Sequence, residues 1–129
     1  MGLFSHSKQK DKLIKYLKEK NISVEENNSK LECAIQFKDK AFSLYPYFEI
    51  DEENNYFSIV INIKKIEKET SDIYQRINQF NQISQYFTLK LASNILYLEY
   101  NTVFNDNIKE IFDLVLDSLE ELKDAIDNI

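Results

Sequence analysis

Few side chains in this sequence could do covalent or metal chemistry, and each of them stands apart. His6 is the single histidine, with Ser5 and Ser7 beside it. A nucleophilic site needs a base, an oriented nucleophile and a third group that holds the base. A terminal arm ahead of the first periodic residue offers no such third group. Cys33 is the single cysteine and falls on the inward side of an alternating stretch. A reactive thiol needs exposure and a positive neighbourhood, so Cys33 reads as a small buried hydrophobe. One His and one Cys cannot build the common zinc sites. Asp51-Glu52-Glu53 gathers three carboxylates, but Asn54-Asn55 follows where a calcium loop needs a glycine. These acids are expected on a solvated hairpin tip. The one glycine is Gly2, which leaves no glycine-rich loop for a phosphate. The expectation is a protein with no catalytic residue, no metal and no cofactor.

The residues suited to recognition are aromatic. Tyr45, Tyr47, Tyr56 and Tyr97 all fall opposite the Phe, Leu and Ile face of the strands they occupy. Tyrosine offers a large contact area at low entropy cost and is enriched in interfaces. These four are the expected partner-binding set. The competing reading is that they pack under a covering helix with their hydroxyls reaching water.

Charge narrows the partner. The 129 residues carry 22 acids against 16 bases, a net charge of −6. Arg76 is the single arginine. Arginine is the preferred bidentate reader of phosphates and guanine edges. An acidic chain also lacks the counterion-release drive for nucleic acid, so no nucleic-acid partner is expected. Residues 1–20 hold six Lys against two acids, and residues 107–129 hold two Lys against seven acids. Two solvated helix faces that attract each other account for this asymmetry. No apolar run approaches the ~20 residues that span a bilayer, and no signal peptide is read at the start. The expected setting is cytoplasmic, without a membrane partner.

The elements that position these residues follow from periodicity. Leu13, Ile14 and Leu17 mark a helix from about Ser7 to Lys20, with Asn21 as its left-handed stop. Residues 25–30 read as a polar connection. Alternation then predicts strands over Leu31–Phe37, Phe42–Ile50 and Tyr56–Lys64. Pro46 puts the second at an edge or a bulge. A helix from Ser71 to Ser84 is capped by Thr70 or Ser71. Tyr86–Ala92 and Ile95–Phe104 form two further strands around a Ser93-Asn94 turn. The last helix begins near Asn107, which has capping-box spacing to Glu110. The order is α-β-β-β-α-β-β-α: an α+β fold with a five-stranded antiparallel sheet and flanking helices. Residues 1–6 are expected as a flexible arm and 7–129 as a single domain.

In the last helix, Ile108, Phe112, Val115, Leu119, Leu122 and Ile126 recur at alternating spacings of four and three. Strict 4-3 spacing is typical of a helix pair. Val115, Leu119, Leu122 and Ile126 are therefore the expected dimer interface. The alternative is that the same stripe packs on the chain's own sheet or first helix.

This order resembles the type III secretion chaperone-like fold and, within it, the YbjN-type bacterial proteins. The likeness rests on Asp11-Lys12-Leu13-Ile14-Lys15-Tyr16-Leu17 in the leading helix and on Ile77-Asn78-Gln79-Phe80-Asn81 closing the middle one. Tyr86-Phe87-Thr88-Leu89-Lys90 and the acidic, Leu-rich last helix complete it. The resemblance implies a small, acidic, non-enzymatic homodimer that holds another protein's segment in extended form. The functional expectation is thus a chaperone-like protein-binding module. The alternative is a small acidic inhibitor or immunity protein, of phage or plasmid type, that blocks a basic site on an effector or nuclease.

Overall fold

The computed structural model describes residues 8–27, 30–37, 39 and 42–129. The expected arm, residues 1–6, lies outside the described residues. Among the described residues there are three helices: α1 (Lys8–Glu19), α2 (Ser71–Ile83) and α3 (Ile108–Asp127). The strands are β1 (Val24–Asn27), β2 (Lys30–Cys33), β3 (Ile35–Gln36), β4 (Ser43–Leu44), β5 (Tyr47–Asp51), β6 (Tyr56–Lys65), β7 (Thr88–Ala92) and β8 (Ile95–Val103). Six of them form an antiparallel sheet in the order β1-β2-β5-β6-β8-β7, while β3 and β4 pair separately.

The architecture is the expected α+β, but the sheet has six strands rather than five. The added strand is β1, whose Glu25, Glu26 and Asn27 are all exposed. Val24 alone of this strand is partly buried against the core, and one apolar residue makes no alternation, so periodicity does not reveal it. The expected strand over 31–37 is interrupted after Cys33, and the one over 42–50 breaks at Pro46. Proline has no N–H for the ladder, yet its carbonyl accepts from the Cys33 N–H at 3.1 Å. β3 and β4 diverge from the main sheet beyond that point.

Turn chemistry replaces the missing glycines. Asn21, Asn55, Ser93 and Asn94 all take positive φ, between 51° and 64°. Ser93 and Asn94 together make the two-residue hairpin between β7 and β8, where both central residues must be left-handed. The Thr70 side chain caps α2 by accepting from the Ile73 N–H at 3.3 Å. The capping box expected at Asn107 does not form. The Asn107 Oδ1 accepts instead from the Asn105 N–H at 2.9 Å, outside the helix.

One face of the sheet is core. Leu31, Phe48, Phe57, Ile59, Ile61, Leu89, Leu96 and Leu98 are buried there, with Leu13 and Leu17 of α1, Phe80 of α2 and the stripe of α3. All three helices among the described residues contribute to this one cluster, which takes its sheet residues from a single face. The Phe48 ring joins sheet to helix, with its centroid 5.6 Å from Phe112 and 6.0 Å from Phe57.

The charge asymmetry is spent inside the chain. Tyr16 of α1 donates to the Asp113 Oδ1 of α3 at 2.5 Å, and Lys20 lies 3.7 Å from the same carboxylate. Lys12 pairs with Asp106 at 2.7 Å, just ahead of α3. These exposed pairs orient the helices more than they stabilise them.

The β7 edge is closed by a side chain. Asn81 ends the apolar face of α2; its Nδ2 donates to the Leu89 carbonyl at 3.1 Å and its Oδ1 accepts from the Leu89 N–H at 2.7 Å. The amide thus occupies both outward ladder groups of Leu89, which blocks a neighbouring strand at that position of the edge. β1, at the opposite end of the sheet, is a short charged strand, another common form of edge protection.

Candidate binding face of the sheet

Because side chains alternate along a strand, burying one face sends the other half of each strand to the far side. No helix or strand among the described residues covers that far face. Register fixes what it displays. One row crosses all six strands as Glu25, Glu32, Tyr47, Val60, Glu99 and Thr88. A second row aligns Lys30, Glu49, Ser58 and Asn101. Asn62, Tyr97 and Lys90 form a third, and Asp51, Tyr56 and Val103 a fourth.

All four predicted tyrosines lie on this side, but only two of them meet. Tyr45, 67% exposed, and the half-buried Tyr47 flank Pro46 and share a cleft of about 400 Å³. Ser23, Glu25, Glu32, Cys33 and Ala34 complete its lining. Tyr56 lies two rows away beside Val103, which is 71% exposed. Tyr97 is half-buried between Asn62 and Lys90. The face is therefore one aromatic-walled cleft beside a broader, partly apolar sheet surface.

Its charges are answered unevenly. Lys90 pairs with Glu99 at 2.7 Å; that hydrogen bond raises the lysine and lowers the glutamate from their ordinary pKa values. Lys30 lies 3.7 Å from Glu49 and 5.4 Å above the Tyr47 ring. Glu25 and Glu32 stand directly opposite each other across β1 and β2, and neither has an ion-pair partner among the described residues. Sequence reasoning missed both, because their juxtaposition depends on β1. The only signal was a polar Val-Glu-Glu-Asn run that could be paired back across a hairpin onto Lys30–Cys33.

The cleft holds no prepared nucleophile. Burial pushes the Cys33 thiol up to about 12, and the residue is only 6% exposed. A raised pKa keeps the thiol protonated, and a thiol is a poor nucleophile. The sign also sets a pH dependence. The unfolded thiol ionises near its ordinary value of 9.0 while the folded one does not, so this contribution to stability is intact below that value and is lost as pH climbs toward 12. Cys33 is expected to react with an aromatic disulfide reagent at pH 8 far more slowly than a free thiol, and at the full rate in denaturant. Rapid labelling of the folded chain would show that the strand opens at Cys33.

The proposed dimer residues lie elsewhere. Val115, Leu119, Leu122 and Ile126 are all within 8% of complete burial in the chain's own core, and Leu119 is at 0%. Their apolar surface is consumed by the sheet and α1, so it is not available as a seam for a second copy. The 4-3 spacing reflects a helix that packs against another helix, and that helix is α1.

No protein-family model matches the chain, and no curated protein matches it in sequence. Among solved structures, it is similar to YbjN from E. coli, described as a candidate transcription regulator. The TM-score is 0.61, with 90% of this chain and 87% of that one covered. The chain has a YbjN-like fold. Identity is 15%, so the likeness to YbjN is one of fold. No helix among the described residues is long and apolar enough to cross a membrane.

Proposed function

We propose that this protein is a non-enzymatic binding module that holds a segment of a partner protein against its uncovered sheet face. The observation that carries the reading is the contrast between the two faces. All three helices among the described residues serve one side, and the other displays Tyr45, Tyr47, Tyr56 and Tyr97 with Val60 and Val103. Aromatic side chains on an open face, two of them walling one cleft, are the enriched composition of a docking surface. A chaperone-like role, holding an extended client, fits a sheet face that offers a cleft and a shallow apolar surface side by side. Any self-association that accompanies it must use a surface other than the α3 stripe.

The regulatory description attached to YbjN suggests a second setting for the same module. Nucleic-acid contact is disfavoured here, because Arg76 is held by Asp72 at 3.1 Å and the chain is acidic. A regulatory role would act through a protein partner. The acidic-inhibitor reading is favoured by the two unanswered glutamates on the same face. It predicts binding that collapses as salt rises, whereas apolar segment holding predicts weak salt dependence.

Capture from the native host tests the module. A specific protein is expected to co-purify with the natural chain and to be lost with Tyr45→Ala, while the circular dichroism spectrum is unchanged. Tyr45 is mostly exposed, so its truncation removes contact area without opening the core. Capture that is indifferent to Tyr45→Ala, and equally to Tyr56→Ala with Tyr97→Ala, would overturn the reading.

A further inference from the structure

We propose that the cleft walled by Tyr45 and Tyr47 accepts an arginine side chain of the partner segment; this rests on the binding-module reading and names what the face selects. Three observations converge on it. The cleft volume of about 400 Å³ exceeds that of one side chain, and two of its walls are tyrosines. Aromatic faces attract cations, and a planar guanidinium can stack on them as well.

The second observation is the charge at the cleft. Glu25 and Glu32 are a directly opposed cross-strand pair on the uncovered face, and both line the cavity. Like charges in that position destabilise a sheet. Elsewhere on the face two glutamates are answered by lysines, Glu99 by Lys90 and Glu49 by Lys30. At the cleft the like-charged pair Glu25–Glu32 stands without an ion-pair partner among the described residues. A cation from outside would relieve the repulsion, so the occupant gains electrostatic energy that the empty protein lacks. Local arrangements that cost stability without evident compensation are expected at functional positions.

The third observation is that the chain already shows the contact in miniature. Lys30 stands 5.4 Å above the Tyr47 ring while reaching toward Glu49. The same Tyr-and-carboxylate combination on the cleft side, with two carboxylates rather than one, has no ion-paired cation among the described residues. Arginine fits better than lysine because its fork can reach both carboxylates while its plane lies against a ring.

The test uses the full chain and a short probe, acetyl-Ala-Arg-Ala amide, beside its neutral citrulline counterpart. Both are titrated at low salt and followed by amide proton–nitrogen correlation spectra. The arginine probe is expected to give saturable shifts at Glu25, Glu32, Ala34, Tyr45 and Tyr47, and to bind about tenfold tighter than the citrulline probe. Glu32→Gln is expected to weaken the arginine probe by about tenfold, while it melts at or above the natural temperature because the repulsion is gone. Glu53→Gln, on the hairpin tip, should change neither. Equal binding of the two probes, or shifts that never saturate and spread over the acidic surface, would overturn the assignment. Loss of the captured partner with Tyr45→Ala, alongside equal binding of both probes, would retain the module and remove its arginine preference. Arginine-specific saturation with capture indifferent to the tyrosines would do the reverse.

Discussion

Leu119→Glu is expected to unfold this protein. Leu119 sits at 0% exposure in the middle of α3, among residues that pack on the sheet and on α1. The substitution forfeits roughly 1.5–3 kcal/mol of side-chain burial. It also places a carboxylate where nothing can pair with it, at a cost of several kcal/mol more. A domain of this size is stable by about 5–15 kcal/mol in total, so the two losses remove most of what holds it folded. Far-UV circular dichroism should show the helical signal collapse at 25 °C. Leu119→Ala serves as the milder companion, expected to stay folded and to lose about 2–5 kcal/mol. A dimer seam would behave otherwise. Leu119→Glu would then keep its helical signal, and sedimentation would show a dimer becoming a folded monomer. That outcome would return the stripe to the interface role its spacing suggests.

Phe48→Ala is expected to cost about 3–5 kcal/mol, the range for truncating a buried aromatic. The ring is 1% exposed and touches two others, Phe57 on the neighbouring strand and Phe112 on α3. Tilted aromatic pairs add to simple area burial, and here they tie the sheet to the helix that covers it. The melting temperature should fall by roughly 10–20 °C. Differential scanning calorimetry on the natural and substituted chains checks this. Pairing the change with Phe112→Ala in a double-mutant cycle should reveal a coupling of about 0.5–1.5 kcal/mol. A shift of only a few degrees, or strict additivity, would mean that Phe48 does not bridge the two layers.

How much of this was legible in advance depends on whether the signal was local. The three helices and most of the strands could be read because burial on one side imprints a period. Leu13, Ile14 and Leu17 show it in α1, and Phe57, Ile59 and Ile61 in β6. Turns could be read because positive φ selects a few residue types, hence Asn21, Asn55 and Ser93-Asn94. Alternation also placed all four tyrosines opposite the core. β1 escaped because only Val24 of this edge strand meets the core, too little to imprint a period, and with it went the Glu25–Glu32 pair.

Other features are set by the three-dimensional arrangement. Spacing within α3 shows that one stripe must be buried, but the same stripe could face a second copy or its own chain. Only packing assigns it to the sheet and α1. Alternation shows that Tyr45, Tyr47, Tyr56 and Tyr97 share a side. Only the strand order brings the first two into one cleft with two glutamates and spreads the others across the face. The physical reason is the same in both cases. Periodicity is a property of neighbours along the chain, whereas a site is made by residues that register and crossing connections bring together from distant parts of it.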